Sequence, residues 1–238
     1  MYSKEVNATS PLRILEQSIH GGLGRGNLGV VMARAGLGKT AFLIQVALDE
    51  ALRDHCVLHV TLGQTLERTL GWYETLFDDL LHTRQIDNPY EARAMMARRR
   101  IIQALPDRRL EVERLDKVID LYGGAIAYRP STIVIDGFDW EASDSTCRST
   151  ILGFKATAKK LDAELWMSAK THREETTDAP RGLTPPFADL DDLIDVAVFL
   201  APKGNHVNIE LLKDHDNPTP ADTLLELDPV LLRLTAPA

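Results

Sequence analysis

The stretch LGVVMARAGLGKTAFL, residues 28–43, constrains the fold more than any other part of this chain. Leu28, Val30, Val31 and Met32 read as a buried strand. Residues 41–51 carry an apolar stripe with no Pro or Gly and read as a helix. Between them lies ARAGLGKT, residues 33–40. It has the phosphate-binding spacing G-x-x-x-x-G-K-[ST], with Ala33 where the first glycine usually stands. The chemistry accounts for the spacing. Gly36 and Gly38 let the backbone wrap closely around a phosphate, which a Cβ would obstruct. The N–H groups of Ala35, Gly36, Leu37, Gly38, Lys39, Thr40 and Ala41 then face the anion at a helix N-terminus. Lys39 is placed to reach β- and γ-phosphates, and the Thr40 hydroxyl to ligate Mg²⁺. The expected cofactors are therefore ATP and Mg²⁺.

Composition sets bounds on the rest. A chain of 238 residues is long enough for one α/β domain with a substantial core and short for two. We read residues 1–17 as a lead-in and 18–238 as one nucleotide-binding domain. No apolar run approaches the ~20 residues that a membrane span needs, and residues 1–17 show no signal-peptide core. No membrane partner and a cytoplasmic location are expected. Cys56 and Cys147 stand alone, without metal-ligand spacing, and read as small core residues. A net charge of -8 disfavours DNA binding by bulk electrostatics.

Along the chain, five glycines in HGGLGRGNLG, residues 20–29, predict a shaped turn feeding the first core strand. After the helix come an apolar strand at 56–62 and an amphipathic helix at 64–81. A further helix follows at 90–98; residues 99–105 could extend it or form a strand, and Pro106 behind them favours the strand. The helix at 111–122 is expected to stop at Gly123-Gly124. Helix 145–161, strand 164–169, a polar loop at 170–186 and a short helix at 187–194 come next. A hairpin over 195–200 and 206–212 and short strands at 224–227 and 230–234 complete the reading.

STIVIDG, residues 131–137, is the second informative stretch. Ile133, Val134 and Ile135 form a buried strand ending in Asp136, the Walker B pattern. In a parallel sheet that end faces the phosphate loop. Thr40 and Asp136 are the expected metal residues, Asp136 acting through water.

This order of elements resembles the RecA-like ATPase core, and within it the KaiC-type and replicative-helicase branch. HGGLGRGNL, ARAGLGKTAFLIQVAL, TIVIDGFD and VNIELLKDHDNPTP carry the resemblance. It implies an α/β fold: a RecA-like nucleotide-binding domain with a mostly parallel central sheet flanked by helices and a C-terminal β-hairpin. It also implies a homo-oligomer with nucleotide at subunit interfaces. The departures bear on activity. The family carries a catalytic glutamate just after the second core strand, and here Gly63 occupies that place in Thr61-Leu62-Gly63-Gln64. Gln64 can hydrogen-bond a water but cannot take its proton. Glu67, one helical turn further on, is a candidate replacement, as are Asp139 and Glu141. In the late loop, the family places a cationic pair that acts on a neighbour's γ-phosphate. Lys213 is kept, while His215 replaces the arginine and Asn217 the glycine. Lys170, Thr171 and His172 fall near the family's γ-phosphate sensor.

Three functions follow as expectations. The first is an ATP-binding switch with slow or partner-dependent hydrolysis, its partner a protein or further copies of itself. The second is a DNA-dependent ATPase, favoured by the cluster Arg93, Arg98, Arg99, Arg100, Arg108, Arg109 and Arg114. Nearby Glu91, Asp107, Glu111 and Glu113 make a solvated face the simpler reading of that cluster. The third is a non-enzymatic scaffold with a vestigial pocket. No guanine-specific Asn-Lys-x-Asp motif is present.

Overall fold

The computed structural model describes residues 10–84, 86, 88–141, 146–171, 183 and 186–236. Among them one sheet runs through the molecule. Its strands are β1 (Leu28–Ala33), β2 (Val57–Leu62), β3 (Arg100–Leu105), β4 (Thr132–Asp136), β5 (Glu164–Lys170), β6 (Val196–Lys203), β7 (His206–Asp214), β8 (Glu226–Leu227) and β9 (Leu234–Thr235). Their order across the sheet is β3-β2-β4-β5-β1-β6-β7-β8-β9. The first six in that order are parallel, and the last three join antiparallel. The fold is thus α/β, with a mostly parallel central sheet flanked by helices and antiparallel C-terminal strands.

Parallel strands covered on both faces need apolar residues at every position. β1, β2 and β4 are buried throughout and mostly apolar, with His59 and Thr61 of β2 and Thr132 and Asp136 of β4 as buried polar exceptions. One face carries Val31, Val57, Val134, Trp166 and Val198. It packs against α1 (Leu12–Ser18), α2 (Lys39–Leu52), α3 (Leu66–Arg84) and α4 (Pro89–Arg99). The other carries Val30, Leu58, Ile133, Leu165 and Ala197. It packs against α5 (Val112–Ile126), α6 (Thr146–Leu161) and the 3-10 turn Phe187–Leu193.

Several boundaries differ from those expected. α5 does not stop at Gly123-Gly124 but runs through both to Ile126, where Ala127 adopts a left-handed φ of 54°. Tertiary anchoring outweighs the glycines' low helix propensity. The Tyr128 hydroxyl lies 2.8 Å from the carbonyls of both Val57 and Arg99, which share its one proton, and this sets where the chain leaves the helix. The expected final strand at 230–234 is instead a turn followed by β9. The Asp228 carboxylate accepts from the N–H of Val230 at 2.7 Å and of Leu231 at 2.9 Å, which curls those residues out of the sheet. Ala33 lies outside the turn altogether. It is the fully buried last residue of β1 and its φ is not positive, so the position asks for no glycine. The polar loop expected at 170–186 falls mostly outside the described residues.

Register places the site. Thr61 pairs with Asp136, Ile135 with Met167 and Ala33 with Lys170, so β2, β4, β5 and β1 end at one common carboxyl edge. In open parallel sheets ligands bind outside this edge. β7 runs the other way and carries Lys213 and Asp214 to the amino edge, where Lys213 faces Ala197 and Asp214 faces Val196.

Candidate functional site

The β1–α2 loop sits at the carboxyl edge. Gly36 and Gly38 take φ values of 84° and 94°. Among the described residues, none accepts a hydrogen bond from the backbone N–H of residues 35–41. These donors cluster at the N-terminus of α2, where the helix dipole adds partial positive charge. The Lys39 ammonium donates to the carbonyls of Ala33 and Arg34, at 2.9 Å each. Burial lowers its pKa, and like-charged Lys170 adds to that, while Asp136 opposes it.

Asp136 lies beside this loop. It is 5% exposed. Its Oδ2 accepts from Thr40 Oγ1 at 2.7 Å. Its Oδ1 accepts from Ser168 Oγ at 2.5 Å, and Ser168 Oγ in turn accepts from the Gly137 N–H at 2.9 Å. Trp140 closes the back of the cluster, with Nε1 donating to the Ser168 carbonyl at 2.8 Å. Ser168 escapes a reading of motifs, because ELWMSA shows only a strand. Its sole sequence signal is period two: Ser168 shares a face with Trp166 on a strand that runs beside β4. The Thr40 hydroxyl and the Asp136 carboxylate are hard oxygen donors of the kind Mg²⁺ takes.

Gln64 and Glu67 stand at the same edge, beyond the end of β2. Gln64 is half-buried and Glu67 is exposed in the first turn of α3. Neither is hydrogen-bonded to Thr40 or Asp136. Gly63 between them and β2 has φ 68°, and its N–H donates to the Leu105 carbonyl at 2.9 Å. A Cβ there would meet the Arg108 side chain at 3.0 Å. Asp139 caps its own turn by accepting from the Glu141 N–H at 3.2 Å. Thr171 is buried, and its N–H donates to the Ala33 carbonyl at 3.1 Å. His172 lies outside the described residues.

Lys213 is not brought to this edge. Its ammonium bonds the Asp191 carbonyl at 2.5 Å and carboxylate at 2.9 Å. Its register partner Ala197 sits opposite Val30, three residues before the end of β1. Strand rise therefore separates it from the β1–α2 loop by about 10 Å along the sheet, and β6 intervenes. His215 is tied down as well, with Nδ1 3.0 Å from Asp214 and Nε2 3.0 Å from the Leu23 carbonyl. Burial disfavours the His215 imidazolium, but the bonds to Asp214 and Leu23 outweigh it and raise its pKa.

The arginine cluster separates into two groups. Arg93 pairs with Glu74 and Asp78, Arg99 with Asp54 and Arg114 with Asp107. Arg100 lies over the Tyr73 ring at 4.3 Å. Arg98, Arg108 and Arg109 form no ion pair among the described residues. Arg108 and Arg109 also line a cavity of about 500 Å³ with Phe138, Asp139 and Thr150.

Compared with known proteins, the chain matches no protein-family model and no curated sequence. No described helix is long and apolar enough to cross a membrane.

Proposed function

We propose that this chain is an ATP-binding protein with a RecA-like core and slow or partner-dependent hydrolysis, acting as a nucleotide-dependent conformational or assembly switch. One observation carries the reading: among the described residues the N–H groups of residues 35–41 have no acceptor, and they lie at the N-terminus of α2 with Lys39 and the Thr40–Asp136 pair. That arrangement suits a polyphosphate with a hard divalent cation. Ala35 to Ala41 would cradle the phosphates, and Thr40 and Asp136 would hold Mg²⁺. The cation would supply charge neutralisation across the β- and γ-phosphates. Asp136 and Ser168 orient the Thr40 hydroxyl, and Lys39 adds a positive charge.

Slow turnover follows from what stands beside that cradle. Gly63 occupies the place where the resembling proteins carry a catalytic glutamate. Gln64 orients water without accepting its proton, and Glu67 is one helical turn away and exposed. Lys213 can act only on the nucleotide of a neighbouring copy, because it lies at the far edge of its own sheet. Phosphate release from the purified protein tests the reading. Turnover well below one per second is expected, rising with assembly or a protein partner. Brisk turnover by the isolated chain would refute the switch.

Arg108 and Arg109 favour a second reading, a DNA-dependent ATPase, since they form no ion pair among the described residues and follow β3 at the edge that carries the β1–α2 loop. Single-stranded DNA binding that weakens steeply with salt would support it. The scaffold reading predicts that Lys39→Ala leaves biological function intact.

A further inference from the structure

The C-terminal segment does more than complete the sheet. Leu227 is fully buried, and its side chain fills the space that a Cβ on Gly38 would occupy. Leu232 lies against the same position at 3.6 Å. Gly38 therefore answers to two constraints, the phosphate side and this packing. Two turns further along the same face of α2, the Gln45 side-chain amide imitates a strand partner. Its Nε2 donates to the Leu232 carbonyl at 2.9 Å, and its Oε1 accepts from the Leu234 N–H at 2.8 Å. Arg233 reaches Asp79 of α3 at 3.2 Å. The strap over 226–235 thus clamps the first half of the helix that presents the phosphate-binding N–H groups. It also joins that helix to α3, which begins just past Gly63.

The clamp is lightly built. β8 and β9 have two residues each. Leu232 holds a left-handed φ of 54°, which costs a non-glycine residue about 1 kcal/mol. Val230, at the turn, is 85% exposed. Leu227 and Leu234 anchor its two ends in the core, so the exposed turn at 229–231 is the part that opens at lowest free-energy cost.

We infer that the strap 226–235 buttresses the phosphate-binding loop, seated on Gly38 and Gln45, and that strap closure and nucleotide binding stabilise each other. This rests on the ATP-binding reading above. Gln45, Leu227 and Leu232 are positioning residues: they touch no phosphate and act through the loop and helix that do. Linkage makes the effect reciprocal: the closed strap binds nucleotide more tightly than the open one by the factor by which nucleotide favours closure.

Hydrogen exchange of residues 226–235, measured on the full chain with and without MgATP, tests this directly. The expected result is a five-fold or greater slowing when MgATP is bound. Gln45→Ala is expected to weaken MgATP by a similar factor and to abolish the nucleotide-dependent slowing. Gln45→Glu, which keeps the acceptor for Leu234 and loses the donor to Leu232, is expected to fall between. A merely structural role would lower the melting temperature without changing the nucleotide-dependent difference. Wild-type protein that binds MgATP tightly while its strap exchange stays unchanged would overturn the inference and leave the ATP reading standing. Wild-type protein that does not bind MgATP would overturn both.

Discussion

At the amino edge of the sheet, Asp214 is fully buried and bonds His20 at 2.7 Å, His215 at 3.0 Å and Asn217 at 2.9 Å. At the carboxyl edge, Asp136 is almost as buried and accepts from Thr40 and Ser168. The two carboxylates look alike until their surroundings are followed outward. The His20 bond at Asp214 holds the glycine-rich lead-in against the end of β7, while the His215 and Asn217 bonds fix the turn that follows the strand. Burial pushes its carboxyl pKa up, and the bonds from Asn217, His215 and His20 reverse that and leave it lowered. Lys155 does similar work nearby, bonding Asp195 at 2.6 Å, while Asp195 accepts from the Leu28 N–H at 2.7 Å. The amino edge thereby closes upon itself. At the carboxyl edge the bonds around Asp136 close too, but the donors of residues 35–41 beside them have no acceptor among the described residues. Buried polar groups that satisfy one another build structure, whereas a run of free donors at a helix N-terminus is open to an anion.

Substitutions can break this contrast. Asp214→Ala strands its partners and is expected to cost about 3 kcal/mol, near the low end for a broken buried pair because His20 returns to water. At about 2–4 °C per kcal/mol for a chain of this size, the melting temperature should fall by roughly 10 °C with MgATP affinity unchanged. Lys39→Ala should do the reverse. Loss of a charge-assisted contact to phosphate is expected to weaken MgATP by about a hundred-fold, read by calorimetric titration, with little change in melting temperature.

Between the edges, His59 offers a pH test. It is fully buried on β2, with Nδ1 2.8 Å from the Tyr73 hydroxyl. Burial pushes its pKa down to about 4, with Asp136 opposing and Arg100 adding to the shift. Between that value and the usual 6.5, the unfolded chain binds a proton that the folded chain refuses. Stability therefore falls with pH through that window, by about 2 kcal/mol from pH 7.5 to 5. Glu16 works against this. Burial raises its carboxyl to about 7, Arg13 opposing, so the folded chain holds a proton that the unfolded one gives up near 4.5. Its contribution to stability is lost as pH rises through the same range. Because the two trends oppose, the test is the difference between proteins: in denaturant melts, His59→Gln should gain about 2 kcal/mol relative to wild type on going from pH 7.5 to 5.

Smaller effects sharpen the contrast. Gly63→Glu should raise ATP turnover if the missing glutamate limits hydrolysis, and should cost about 1 kcal/mol for a left-handed residue placed against Arg108. Lys213→Ala removes a surface ion pair, worth about 0–1 kcal/mol. It should leave ATP affinity alone and slow turnover only at concentrations where the chain assembles.

Much of the parallel sheet was readable because its strands are continuous apolar runs and its helices carry apolar stripes. Even the strand Arg100–Leu105, written RIIQAL and easily taken as helix, was readable from Pro106 behind it. The α5 terminus was not, because its glycines are overruled by the distant Tyr128 contacts. In the site, Lys39, Thr40 and Asp136 were readable from spacing. Ser168 was not, because its role depends on which strand lies beside β4. The strap on Gly38 was hidden as well: nothing in residues 226–235 records that they return to a loop nearly two hundred positions earlier.

Calorimetric titration of MgATP into three proteins, the wild type, Lys39→Ala and Asp214→Ala, tests the central claim most directly. The wild type is expected to bind, Lys39→Ala to bind about a hundred-fold more weakly, and a less stable Asp214→Ala to keep wild-type affinity. Absence of binding to the folded wild type, or undiminished binding by Lys39→Ala, would contradict it.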